Sequence, residues 1–90
     1  MDSSSSFGDV TVMLDRDQIL KELGDRIRGA RKAADLTQED LAEKSGLDRS
    51  YIGGIERGQR NITFTVLCQI VRALEIDIAQ ISTNLPGPVK

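Results

Sequence analysis

The pattern that most restricts the fold is a set of four small or branched residues spaced along residues 38–55. They are Ala42, Gly46, Ile52 and Ile55. Two short helices that cross at about 90 to 120° need a small side chain at their closest approach, a glycine in the turn, and branched apolar residues that anchor the second helix. The four residues meet these needs in that order, so the spacing predicts two short helices joined by a tight turn.

Capping residues mark the ends of both short helices. Thr37 and Asp48 are residue types that favour N-caps, and Gly46 can adopt the left-handed conformation that ends a helix. These signals predict one helix that follows Thr37 and ends near Ser45, and a second helix from Asp48 to Arg57.

Apolar residues recur at spacings of three and four residues on both sides of this pair, which predicts three more helices. The first covers residues 16–34 behind an N-cap at Asp15, the fourth follows Thr63, and a short fifth covers residues 77–81. Residues 10–14 can pair as a short strand or lie disordered. The predicted fold class is therefore all-α, with five helices.

The sequence has 90 residues, which suffices for one domain, so we expect no separate effector-binding domain. We expect a flexible N-terminal tail over residues 1–14, a folded domain over residues 15–83 and a flexible C-terminal tail over residues 84–90. No apolar run approaches the roughly 20 residues that span a bilayer, and no secretion signal begins the chain. A cytoplasmic protein without a membrane partner is expected.

Histidine is absent and Cys68 is the only cysteine, so neither a His/Cys zinc site nor an internal disulfide can be built. The chain also lacks a general base that works near neutral pH, and no pair of carboxylates surrounds an obvious pocket. We therefore expect no enzyme activity and no metal. No cofactor and no small-molecule effector are expected either.

The formal net charge of −2 argues, taken alone, against a nucleic-acid partner, because phosphate binding relies on lysine and arginine. The charge is unevenly distributed, however. Residues 1–17 hold four aspartates and one arginine, a net of −3, which leaves the remainder at +1. Residues 49–60 carry three arginines and one glutamate, so a local basic edge can exist on an acidic protein.

Several segments carry a family resemblance: IR at 27–28, Arg31, LTQEDLA at 36–42, GL at 46–47, YIGGIERG at 51–58, Asn61, Leu67, Ile70 and AL at 73–74. Over about residues 20–82 the chain resembles the Cro and phage-repressor family of helix-turn-helix proteins. Within that family it is most similar to the controller proteins of restriction-modification systems, which are stand-alone dimers of this length. The resemblance implies a repressor-like, five-helix domain that binds double-stranded DNA.

The resemblance also implies that the helix after Asp48, the recognition helix, enters the major groove and reads base edges with Arg49, Ser50 and Tyr51. Arg49 can bond guanine through O6 and N7, and Ser50 can bond either base type. The alternative for Arg49 is an ion pair with Asp48. Tyr51 can instead pack against the core.

Five further residues are expected to hold the DNA backbone. Thr37 and Gln38 lie where a helix N-terminus with free N–H groups would meet a phosphate. Arg57, Arg60 and Asn61 follow the recognition helix and would position the protein without specifying sequence. The alternatives are a plain cap beside a solvated glutamine for the first two, and a solvated face for the last three.

Two sets of residues are expected to support the domain. Family members commonly join the places of Arg31 and Glu56 by an ion pair, which we interpret as setting the angle of the recognition helix. By the same resemblance, Ile76, Ile78 and Ile81 form the two-fold contact of a homodimer, which would place two recognition helices about 34 Å apart on a pseudo-palindromic operator. The alternative is that these isoleucines complete the monomer core.

Gly53 and Gly54 lie in the middle of the recognition helix, where each costs roughly 1 kcal/mol relative to alanine. Either they weaken the helix, or they let its backbone approach the groove or a neighbouring helix closely.

The function expected first is a sequence-specific transcription regulator that acts as a dimer, with control of a restriction-modification operon as its sharpest version. The acidic balance and the paired glycines leave an alternative open, namely an antitoxin or co-regulator that uses the same fold to bind proteins.

Overall fold

Five helices make up the part of the chain that the computed structural model describes, namely the backbone of residues 2–85 and the side chains of residues 16–85. They are α1 (Asp2–Ala33), α2 (Gln38–Ser45), α3 (Arg49–Glu56), α4 (Phe64–Leu74) and α5 (Ile78–Ser82). The all-α prediction is confirmed over this range. Helices α2 to α5 begin within about one residue of their predicted starts, and α2, α3 and α5 end within about one residue of their predicted ends, as expected where caps are explicit.

Helix α1 begins at Asp2, well before the predicted start at residue 16. The short strand considered for residues 10–14 is therefore wrong, and Asp15 lies inside α1 rather than at its N-cap. The flexibility of the N-terminal segment stays a prediction. Residues 2–33 contain no proline, and Gly8 is the only glycine before Gly24. Each residue added to an existing helix gains a hydrogen bond, so α1 extends through Gly8 although glycine disfavours helix. Over the described range, no helix combines the length and apolar character needed to cross a membrane.

The predicted C-terminal tail lies mostly outside the described residues. At its start, the Leu85 amide donates a hydrogen bond to the Ser82 carbonyl at 2.9 Å, and the Leu85 side chain packs against the core. Leu85 thus contacts the core, where burial of an apolar side chain gains stability. The flexibility of the segment stays a prediction.

The caps of α2 follow the predicted chemistry. Thr37 Oγ1 accepts a hydrogen bond from the Asp40 amide at 3.0 Å, and the Asp40 carboxylate accepts one from the Thr37 amide, also at 3.0 Å. This reciprocal arrangement satisfies two N–H groups that a helix leaves free at its start. Gly46 ends the helix in the left-handed conformation, with φ of 74°. Two residues after this turn, Asp48 is the N-cap of α3.

The core is aliphatic and every helix contributes to it. Its buried side chains are Leu23, Ile27, Leu41, Ala42, Ile52, Ile55, Ile70, Val71, Leu74 and Ile81. Three of the four residues in the predicted spacing are thus buried, and the fourth, Gly46, forms the turn.

The predicted dimer residues divide into two groups. Ile81 is only 2% exposed in the single chain, so its assignment to a dimer contact is wrong and it completes the monomer core instead. Ile76 and Ile78 are partly buried against the same core and keep some exposed surface. A row of isoleucines at helical spacing looks the same in sequence whether it faces a core or a partner, which explains the error.

Helix α1 approaches the C-terminal end of α3 closely at Gly24. A Cβ atom built on Gly24 would lie 2.4 Å from the carbonyl oxygen of Ile55 and 2.7 Å from that of Glu56. Both distances are far below van der Waals contact, and the atoms that would clash belong to the backbone. Only glycine therefore allows α1 and α3 to pack at this distance.

Helix α1 also holds the last helix. Arg26 Nη1 donates a hydrogen bond to the Ile81 carbonyl oxygen at 2.8 Å and another to the Thr83 carbonyl oxygen. Its Nε is paired with Glu22 at 3.0 Å, one turn earlier. The guanidinium thus satisfies carbonyl groups that a helix leaves free at its C-terminal end.

Candidate nucleic-acid interface

The N-terminal turn of α3 faces solvent, while its opposite side is fixed in the core. Arg49 and Ser50 are exposed and Tyr51 is half-buried, whereas Ile52 and Ile55 are buried. The predicted reading edge is therefore accessible, on a helix whose position is set by aliphatic packing.

Arg49 has a different acidic neighbour from the one considered in the sequence. Its Nε lies 3.5 Å from Glu39 Oε2 on α2, and the two side chains are 58% and 73% exposed. Ion pairs this exposed contribute about 0 to 1 kcal/mol because water screens them. Arg49 is thus held lightly beside α2 and can exchange Glu39 for another partner at little cost.

Asp48 and Ser50 form a local cap at the start of α3. The Asp48 carboxylate accepts hydrogen bonds from the Ser50 hydroxyl and from the Ser50 amide, the latter at 3.1 Å. These two bonds, led by the one from the hydroxyl, hold the pKa of Asp48 below its ordinary value. In the free protein Ser50 therefore contributes to the cap, and its hydroxyl is oriented toward Asp48.

Acid is expected to remove stability through this cap. Because the pKa of Asp48 is lower in the folded chain than in the unfolded one, its contribution is complete above the ordinary aspartate pKa of about 3.9. It is lost as the pH falls through the lower, folded value. Thermal unfolding followed by circular dichroism across this range checks the expectation. Asp48→Asn keeps a good capping residue but removes the titrating group, so its melting temperature should fall less with acid. An equally steep fall would contradict the prediction.

Tyr51 and Arg60 stack. The Tyr51 ring packs partly against the core, and the Arg60 guanidinium carbon lies 5.4 Å from the ring centroid. This distance is within the range of about 6 Å for cation–π contacts. The packing alternative for Tyr51 is thus present in the structure, and its half-exposed ring stays close to the reading edge.

Thr37 and Gln38, at the start of α2, both take part in defined contacts. Thr37 caps the helix as described, and Gln38 Nε2 donates a hydrogen bond to Glu56 Oε1 at 3.0 Å. The alternative of a simply solvated glutamine is therefore wrong, because this amide reaches from α2 to α3. One N–H of the Gln38 amide is used in this bond, and an amide nitrogen has two.

Arg31 and Glu56 form the buried ion pair that the resemblance implied. Arg31 Nε lies 2.7 Å from Glu56 Oε2 and Nη2 lies 3.0 Å from Oε1, with the two side chains 10% and 2% exposed. Arg31 Nη1 also donates to the Leu36 carbonyl at 2.8 Å. The hydrogen bond with Glu56 raises the pKa of Arg31, against the lowering effect of burial. The pair joins α1 to the C-terminal end of α3, and Gln38 adds α2 to the same network.

The two glycines of α3 are covered by side chains and not by the backbone of another helix. A Cβ atom built on Gly53 would lie 3.2 Å from Arg57 Nη1 and 3.6 Å from Gln38 Oε1. One built on Gly54 would lie 2.9 Å from Arg60 Cγ. The close helix approach that the sequence suggested for this pair is therefore found elsewhere, at Gly24.

The segment after α3 supplies the remaining predicted contacts. Arg57, Arg60 and Asn61 are exposed, and Arg57 Nε donates a hydrogen bond to Gln59 Oε1 at 3.0 Å. Arg57 and Arg60 fold back over α3, whereas Asn61 lies in the connection to α4. Sequence reasoning found these side chains but missed Glu39 and Gly24, for which the sequence gives no distinguishing local signal.

Comparison with known sequences places these features in context. A family model described as helix-turn-helix matches residues 27–81. The control protein C.SmaI of Serratia marcescens is 41% identical over 62 residues, which is 69% of this chain and 74% of that protein. The immunity repressor protein of Bacillus phage phi105 is 42% identical over 59 residues, which is 66% of this chain and 41% of that protein.

Solved structures that resemble this chain also include restriction-modification controller proteins. The restriction-modification controller protein C.AhdI from Aeromonas hydrophila superposes with a TM-score of 0.68 at 47% identity, covering 69% of this chain and 94% of that one. A C.Esp1396I tetramer in complex with its natural 35 base-pair operator gives a TM-score of 0.67 at 43% identity, covering 70% and 83%. The family match includes α2, α3 and all the residues predicted to contact DNA, from Thr37 to Asn61.

Proposed function

Because this chain belongs to the helix-turn-helix family of transcription regulators, among proteins of the restriction-modification controller type, we propose that it binds operator DNA as a dimer and controls a restriction-modification operon. The observation that carries this proposal is the exposed N-terminal turn of α3, backed by buried Ile52 and Ile55 and fixed by the Arg31–Glu56 pair. A rigid helix with a free polar leading edge is what insertion into the major groove requires.

Base reading is assigned to the first turn of α3. Arg49 exchanges its exposed pair with Glu39 for the O6 and N7 atoms of a guanine, and Ser50 and Tyr51 contact neighbouring bases or phosphates. Because the Glu39 pair is solvated, little stability is lost in this exchange.

Backbone binding is assigned to the start of α2 and the segment after α3. The α2 N-terminus offers free N–H groups and the positive end of the helix dipole, and Thr37 and Gln38 lie beside it. Arg57, Arg60 and Asn61 bind phosphates on the other side of α3. A protein with a net charge of −2 can still bind DNA in this way, because the field near the interface is set by its local arginines.

The dimer contact is assigned to the exposed parts of Ile76 and Ile78, without the buried Ile81. Two-fold dimers are the commonest soluble oligomers, and they match the symmetry of a palindromic operator. Among the structural relatives, C.Esp1396I binds its operator as a tetramer.

A gel-shift titration against the DNA upstream of the chain's own gene, repeated at several salt concentrations, tests the proposal. Specific binding is expected, with log K falling linearly with log salt by about 0.9 for each phosphate neutralised. Sedimentation of the same samples measures the oligomeric state. If no complex forms at low salt, the DNA-binding proposal is wrong, and a stable co-purified protein would favour the antitoxin or co-regulator alternative.

Replacing Arg49 with alanine is expected to reduce discrimination between operator and unrelated DNA by about 1 to 3 kcal/mol. Arg57→Ala is the matched comparison, since it removes an arginine assigned to phosphate. It should weaken binding to all sequences alike and make the salt slope shallower by about one. Competition assays with operator and scrambled duplexes separate the two effects. If both variants lose affinity uniformly, Arg49 does not read bases.

A further inference from the structure

The side chain of Arg60 lies across α3 in the space beside Gly54. A Cβ atom on Gly54 would lie 2.9 Å from Arg60 Cγ, 3.4 Å from Nε and 3.7 Å from Cδ. The shortest distance is one that real Cβ atoms essentially never show, and Cγ is too near the backbone to move without redirecting the side chain. Any larger residue at Gly54 would therefore displace Arg60 from this path.

The far end of the same side chain rests on Tyr51. The guanidinium carbon lies 5.4 Å from the ring centroid, and the ring is itself packed partly against the core. Tyr51 precedes Gly54 by three residues on α3, so both lie on the same face of the helix. Arg60 thus contacts α3 at two places: its aliphatic part packs on Gly54 and its guanidinium packs on the Tyr51 ring.

The backbone does not explain why residue 54 is glycine. Positive φ angles occur at Gly46 and Gly58, whereas Gly54 lies inside the α-helical segment Arg49–Glu56. A glycine inside a helix lowers its stability relative to alanine. What the missing side chain of Gly54 does leave is the space that Arg60 occupies.

We propose that Gly54 is a positioning residue, which holds Arg60 on the Tyr51 ring so that the two side chains meet DNA as one preformed unit. The inference rests on the proposed DNA-binding function for its consequence, but the arrangement itself exists in the free protein. An arginine already held in place loses less conformational freedom when it binds a phosphate. Gly54 therefore raises affinity without touching DNA.

The test compares Gly54→Ala with Gly53→Ala. Both variants replace adjacent glycines of α3 and raise helix propensity alike. On Gly53 the nearest atom to a new Cβ is Arg57 Nη1 at 3.2 Å, the free end of a flexible side chain, which can move aside. Gly53→Ala is thus a matched control in which Arg60 keeps its place. Arg57, which is assigned to a phosphate, need move only its free end by a few tenths of an ångström, so it can still reach that phosphate.

The first measurement is the NMR spectrum of the DNA-free proteins. In the wild type the Arg60 side-chain protons should be shifted upfield by the ring current of Tyr51, the only tyrosine of a chain without tryptophan. We expect this shift to disappear in Gly54→Ala and to persist in Gly53→Ala. If it is unchanged in Gly54→Ala, the positioning role is refuted, whatever the protein binds.

The second measurement is operator affinity. Gly54→Ala is expected to bind about two- to tenfold more weakly than Gly53→Ala, the loss that corresponds to one side chain that must be ordered on binding. In an Arg60→Ala background, where no side chain needs the space, Gly54→Ala should cause no further loss. A loss of equal size in that background would overturn the proposal. Failure of the wild type to bind DNA would instead refute the proposed function and leave the NMR result to decide the placement of Arg60.

Discussion

Replacing Glu56 with alanine is expected to lower the free energy of unfolding by about 3 to 5 kcal/mol, because it leaves the Arg31 guanidinium buried without its counter-charge. An arginine cannot escape this cost by losing its proton. The same change removes the acceptor of the Gln38 amide. Small domains are stable by only about 5 to 15 kcal/mol, so urea titration at neutral pH should show a much lower midpoint.

Glu22→Ala is the matched control for this experiment. It also removes a glutamate paired with an arginine of α1, but the Glu22 side chain is 52% exposed and Arg26 keeps its bonds to two carbonyl groups. We expect a change within about 1 kcal/mol. If the two variants lose similar amounts of unfolding free energy, burial does not make the Arg31–Glu56 pair more important for stability than an exposed pair.

Gly24→Ala is the second change with a large expected effect. The added methyl group would meet two backbone carbonyl oxygens of α3 within 2.7 Å, and backbone atoms cannot rotate away as a side chain can. Helices α1 and α3 must therefore move apart, at a cost of about 1 to 3 kcal/mol, as for other overpacked cores. Thermal unfolding followed by circular dichroism measures the loss.

Gly29→Ala separates crowding from helix propensity. Gly29 lies on the same helix, and a Cβ atom built there has no neighbour within 4 Å. This variant should be more stable than the wild type by about 0.5 to 1 kcal/mol, because alanine favours the helix. The expected result is thus a loss of stability for Gly24→Ala and a gain for Gly29→Ala. Destabilisation of similar size in both would contradict the close packing at Gly24.

The helices that begin with a side-chain cap were predictable because the signals are local. Thr37, Asp48 and Thr63 each accept a hydrogen bond from a backbone amide two or three residues later, so a few adjacent letters specify the start of the helix. The start of α1 was not predictable in the same way. Asp15 is a residue type that favours N-caps. It does not mark the start of the helix, however, because the residues before it are helical as well.

The members of the candidate interface were predictable, but their contacts were not. Arg49 was expected on the exposed face of α3, and it lies there. Its neighbour Glu39, and the bond from Gln38 to Glu56, depend on how α2 crosses α3, which no local pattern specifies. Gly24 and Gly29 show the same limit, because two glycines of one helix differ only in what packs against them.

The bonds from Arg26 to the end of α5 have a consequence for how the protein is made. They join residues that are 55 and 57 positions apart, and Ile81, beside them, fills the core. Contacts between such distant positions form only after the intervening chain is available and its loop entropy has been overcome. A nascent chain still lacking α5 would expose the aliphatic surface that Ile81 covers. The helix-turn-helix domain should therefore reach its folded state only after α5 has been synthesised, so a new molecule can act only from that point.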